Sequence, residues 1–169
     1  MNTTTFALVI AISLVAHAQQ KPAATKTEEH CAMMKRGDQA MGFSHEKTTH
    51  HFRLFDNGGA IEVTANDPND TTSRDEIRQH LSHIAQMFAA GNFDVPMLIH
   101  ATTPPGVSTM KELRDQIRYV FQETDSGARV RISTTNPKAV EAVHNFLRFQ
   151  IAEHQTGDPT EAAVENQGK

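Results

Sequence analysis

The chain carries one ββα pattern twice, and that repeat limits the folds open to it more than any other feature. Shifting the chain by 69 residues lays one expected hairpin on the other without a gap. Phe52 then falls on Phe121, Gly58 on Gly127, Ile61 on Val130, Val63 on Ile132 and Pro68 on Pro137. The first hairpin joins a strand over 47–55 to one over 60–64 across Asp56-Asn57-Gly58-Gly59. Asn-Gly between alternating apolar runs is a strong hairpin signal, because both residues tolerate positive φ. The second joins 116–123 to 128–134 across Ser126-Gly127. A helix follows each hairpin. One starts at a capping box of Ser73 and Glu76 and carries Ile77, Leu81, Ile84 and Phe88 at helical spacing up to Gly91. The other starts at Asn136-Pro137, an N-cap with proline at the first helical position, and runs to Gln155. A shift of 63 aligns the stripes, with Ile77 on Val140, Ile84 on Leu147 and Phe88 on Ile151. The expected class is therefore α+β: a ββα-ββα pseudo-repeat, its four-stranded antiparallel sheet covered on one face by two helices.

The flanks read differently. The apolar run over 6–16, followed by Ala16-His17-Ala18, has the form of a secretory signal peptide spanning 1–18. It is too short to serve as a stable membrane anchor, so a periplasmic or secreted location is expected. Residues 19–46 read as a mobile N-terminal segment, 47–156 as the α+β domain and 157–169 as a disordered tail. The formal charge of -4 leaves no basic footprint for nucleic acid. Cys31 is the only cysteine, so no internal disulfide can form. The connection over 92–108, with Pro96, Pro104, Pro105 and Gly106, is long for a compact domain. Such loops are usually functional or mobile. A four-stranded sheet has two edges, which leaves room for a homodimer.

Ten histidines are many for 169 residues. In the first strand, alternation puts His50 on the face of Phe52 and Leu54, and His51 on the other. An inward histidine needs a partner or a function. The repeat places His50 on Tyr119, and it puts His80 and His144 on or beside the inward stripes of the two helices. His83 lies one turn on from His80. Converging neutral imidazoles from His50, His80, His83 and His144 suit copper or zinc. A second candidate is His30-Cys31-Ala32-Met33-Met34, where the thiol of Cys31 and the thioethers of Met33 and Met34 form a soft capture segment for Cu(I). The plainer reading makes each histidine a core or boundary residue bonded to a carbonyl or carboxylate, and makes the methionines apolar docking groups. No haem-attachment, paired CxxC, Walker, Rossmann or Gly-x-Ser-x-Gly pattern is present.

Arg36-Gly37, Met41-Gly42-Phe43 and Lys47-Thr48-Thr49-His50-His51-Phe52 resemble a family of small exported bacterial proteins. The likeness continues through His80-Leu81-Ser82-His83-Ile84, Pro104-Pro105-Gly106 and Phe146-Leu147-Arg148-Phe149-Gln150. The resemblance implies export and transfers no catalytic residue. Similar chains are sometimes labelled aspartate carbamoyltransferase, which these residues do not support. The Ser-Thr-Arg-Thr carbamoyl-phosphate loop is missing, Thr71-Thr72-Ser73-Arg74 is not it, and the chain is too short for two α/β domains. The function expected first is a small exported metal-binding protein, for copper or zinc, in metal tolerance or delivery. The alternative is a non-enzymatic interaction domain with a protein partner and structural histidines. A small hydrolase or isomerase built around 92–108 ranks third.

Overall fold

Residues 25–164 are described by the computed structural model; the expected signal peptide lies outside them. The element order is α1 (Lys26–Met41), β1 (Thr48–Phe55), β2 (Gly58–Ala65), α2 (Thr71–Ala89), α3 (Asp94–His100), α4 (Val107–Glu112), a 3-10 turn (Arg114–Gln116), β3 (Arg118–Thr124), β4 (Gly127–Ser133) and α5 (Pro137–His154). The strands form one antiparallel sheet in the order β1-β2-β4-β3. The β-β-α-β-β-α core is the α+β pseudo-repeat that the sequence pattern implies. Among the described residues no helix is long and apolar enough to cross a membrane.

The hairpins keep their expected register. His50 pairs with Val63 and Tyr119 with Ile132, so the shift of 69 holds for the cross-strand partners as well. The two central strands approach closely where each begins. A Cβ on Gly58 would stand 2.3 Å from the Ile132 carbonyl oxygen, and one on Gly127 would stand 2.1 Å from that of Val63. Only glycine fits at either place.

The helices obey a shift of 66, not 63. That shift lays N-cap Asp70 on N-cap Asn136 and matches the buried stripes: Ser73 with Ala139, Ile77 with Val143, Leu81 with Leu147, Ile84 with Gln150 and Ala85 with Ile151. A slip of three residues is close to one helical turn. Apolar periodicity alone therefore cannot tell the two alignments apart, whereas the caps can. The expected box at Ser73 is in fact the third position of a cap at Asp70, which accepts from the Ser73 N–H at 3.0 Å.

Each helix lies over the other unit's hairpin. α2 packs mainly on β3 and β4, and α5 on β1 and β2. Each helix thus covers mainly the other unit's sheet face, which ties the two halves into one core. Their shared core centres on Phe88, Phe93 and Phe146, whose rings lie 4.3–6.1 Å apart, centroid to centroid.

Both flanks are more ordered than the sequence suggests. The segment read as mobile over 19–46 contains α1, closed by a capping box between Thr25 and Glu28 and docked through buried Met33. Arg36 Nε donates to the Ile99 carbonyl at 2.8 Å, tying α1 to α3. Of the tail read as disordered over 157–169, the described residues 157–164 run along the outer edge of β1. There the Asp158 carboxylate, 4% exposed, accepts from Phe52 N–H at 2.9 Å, His51 Nδ1 at 2.9 Å and Arg53 Nη1 at 3.1 Å. Burial pushes the Asp158 pKa up, but the bonds from Phe52, Thr156 and His51 outweigh it and hold the group below its ordinary value. Ala163 then bridges to Phe55. A covered edge cannot recruit another strand; among the described residues no strand pairs with the outer edge of β3. Asp158→Ala strands the buried Phe52 N–H and releases the tail. Urea unfolding should show a loss of about 2–3 kcal/mol, and an unchanged midpoint would mean that the strap is ornamental.

Candidate metal centre

A cavity of about 60 Å³ lies between the helices and the β1 side of the sheet. Its walls are mostly apolar. Set into them are His50 from β1, His80 from α2, His100 from α3 and His154 and Gln150 from α5, with Met41 of α1 beside them. Strand alternation brings His50 inward with Phe52, as expected. Helical spacing brings Gln150 and His154 to one face, four residues apart.

His154 is the hub. Its ring stands 5.8 Å from that of His50, nearly parallel at 14°, and 5.2 Å from that of His100, nearly perpendicular at 87°. Phe43 contacts both remaining sides, 6.1 Å from His50 and 5.6 Å from His80. The imidazoles are held neutral. Burial lowers the pKa of His50 to about 4, helped by the neighbouring His80, His51 and His45. Burial also lowers His80 to about 4, with His83 adding to it, and lowers His154 to about 3, with His50, His100 and His30 adding to it. His100 is lowered too, by burial first, against an opposing hydrogen bond from Gln150.

Their lone pairs are unused. Among the described residues, no protein group hydrogen-bonds the ring nitrogens of His50, His80 or His154. His100 Nε2 donates to Gln150 Oε1 at 3.0 Å. Its Nδ1 is buried without a hydrogen bond, the closest carboxylate oxygen being Glu153 Oε2 at 3.8 Å. The Gln150 amide nitrogen is likewise buried and unpartnered. Two buried polar atoms at the cavity, His100 Nδ1 and Gln150 Nε2, thus lack the partners that such atoms ordinarily find.

The twin half shows that packing does not require these histidines. Under the shifts of 69 and 66, His50 corresponds to Tyr119, His80 to Phe146 and His154 to Phe88. The contact geometry repeats as well, with Phe88 and Tyr119 rings 5.8 Å apart. One half fills the layer with two phenylalanines and Tyr119, whose hydroxyl is also buried without a hydrogen bond, and the other fills it with imidazoles.

Of the residues singled out in the sequence, His50 and His80 reach the cavity. His144 does not: its Nε2 donates to the Phe55 and Gly58 carbonyls at 2.9 and 3.0 Å, pinning α5 to the first turn. His83 is exposed on α2. Cys31 is an exposed free thiol, Met33 is buried and Met34 is half-buried, all on α1. His100 and His154 join the site instead. The signal for His154 was its place four residues after Gln150 at the correct helix alignment; His100 sat in a segment read as loop.

As the side chains stand, no three of the described His, Cys, Asp and Glu residues converge on one ion position. Compared with protein-family models, with curated proteins and with solved structures, the chain has no match.

Proposed function

We propose that the protein is an exported metal-binding protein that takes copper or zinc in the imidazole cavity, in metal tolerance or delivery. One observation carries the reading. Neutral imidazoles with unpaired nitrogens occupy a layer that the twin half fills with carbon rings. Neutral imidazole is the form that ligates zinc and copper, and the apolar walls keep it neutral. His50, His100 and His154 are the primary ligands, and His80 stands across Phe43 in reserve. Ligation asks the rings to turn about their side-chain torsions. The apolar run over 6–16 supports a periplasmic or secreted setting.

Titration of the untagged protein with Zn(II) and Cu(II) tests this. One equivalent should raise the melting temperature by several degrees. His154→Phe should abolish the rise, whereas His83→Ala and Cys31→Ser should leave it. A non-enzymatic interaction domain is the second reading, favoured by the open β3 edge. It is preferred if no ion changes the melting temperature and the chain instead self-associates.

A further inference from the structure

α5 is fastened to the first hairpin at two places. His144 holds it to the Phe55 and Gly58 carbonyls at 2.9 and 3.0 Å, beside the turn. The second fastening lies further back along β1, just past the helix end. His154 is the last residue of α5. Gln155 (φ 53) and Gly157 (φ 71) then reverse the chain through two left-handed positions. Asp158 follows at once and grips β1 at His51, Phe52 and Arg53, directly beside His50. Arg148 Nε of α5 donates to the Thr160 carbonyl at 2.9 Å. Ala163 donates to the Leu54 carbonyl at 3.0 Å and accepts from Asp56 N–H at 3.3 Å. The strap thus sews α5 to β1, the two elements that carry His154 and His50.

We propose that Asp158 is a positioning residue for the imidazole cavity: by clasping β1 it holds the His154 ring in register with that of His50, and so sets the affinity for metal. This rests on the metal-binding reading above and adds what keeps its ligands in place. The two rings come from elements far apart in the chain, yet they stack at 5.8 Å and 14°. Among the described residues no hydrogen bond fixes either ring, so their placement comes from packing and from the backbone on either side. The helix end alone does not reach the sheet. The Gln155 and Thr156 N–H groups both turn back on the Ile151 carbonyl, which closes the helix on itself. Asp158 supplies the missing link. Its carboxylate is 4% exposed and takes donors from three consecutive residues of β1. Bonds to a charged acceptor are the stronger kind, and three of them leave it little room to slide along the strand.

The full untagged chain and three variants test this at pH 7. The apo proteins are read by ring-to-ring NOEs between His50 and His154, and Zn(II) and Cu(II) binding by calorimetry. Asp158→Ala should weaken the ring contact and lower metal affinity about tenfold or more. Asp158→Asn keeps an acceptor for the Phe52 N–H but loses the charge. It should fall between parent and alanine in both readouts, and it carries the comparison if the alanine variant does not fold. Asn136→Ala removes the N-cap at the other end of α5. It destabilises the fold but should leave the ring contact and the affinity unchanged. Equal losses at Asp158 and Asn136 would reduce the clasp to general stability and overturn the proposal. A parental ring contact and affinity in Asp158→Ala would overturn it too, with metal binding still standing. A parent that binds neither ion overturns the metal-binding reading and this proposal with it.

Discussion

Between pH 6.5 and pH 4 the apo protein should lose much of its stability. His50, His80 and His154 have folded-state pKa values lowered from 6.5 to about 4, 4 and 3, chiefly by burial. The unfolded chain takes up protons at these rings near pH 6.5, whereas the folded chain resists until near pH 4. The unfolded state therefore binds more protons in that window, and stability falls as pH falls. Their full contribution is present above pH 6.5. At about 1.4 kcal/mol per pKa unit, each ring costs the fold about 3 kcal/mol by pH 4. Domains of this size are stable by only about 5–15 kcal/mol. Protonating one ring also repels the next, so acid should open the cavity cooperatively, with an unfolding midpoint of about pH 5. Urea melts at half-unit pH steps, read by far-UV circular dichroism, check this. A stability that stays flat from pH 7 to pH 4 would mean that the rings are solvated or already paired.

The second large effect comes from making the two halves alike. The triple variant His50→Tyr, His80→Phe and His154→Phe places at each position the residue found at its counterpart, Tyr119, Phe146 and Phe88. The fold already accommodates those rings once. The variant should fold, gain roughly 1–3 kcal/mol at pH 7, lose the acid transition above pH 4 and bind no metal. Stability gained where function is removed is what a site kept for ligation would show. A variant less stable than the parent at neutral pH would mean that the imidazoles are part of the packing after all.

The sheet was the most legible part of the molecule, because strand alternation and glycine turns act over a few residues. Gly58 and Gly127 mark both the turns and the tight central contact, so one local signal reported a tertiary fact. The helices were legible in kind but misaligned by nearly one turn, since a stripe repeats every turn and only Asp70 and Asn136 break the tie. That slip decided the site. At a shift of 63, His144 stood opposite Leu81; at 66, His154 stands opposite Phe88 and becomes the hub. The inward turn of His50 was readable from Phe52 and Leu54. His100 was not, because α3 is seven residues long, begins without a side-chain cap and is held by packing against α1. The strap at Asp158 was equally hidden, as its partners lie more than 100 residues away in β1.

The most direct test is to watch the rings themselves. With ¹⁵N-labelled histidine, NMR of the apo protein at pH 7 should show His50, His80, His100 and His154 as neutral imidazoles. One equivalent of Zn(II), or of Ag(I) for a soft ion, should shift the nitrogens of His50, His100 and His154 and leave His83 and His144 where they were. Shifts confined to exposed histidines such as His83, with the cavity rings unmoved at saturating metal, would contradict the assignment of this layer as a metal centre.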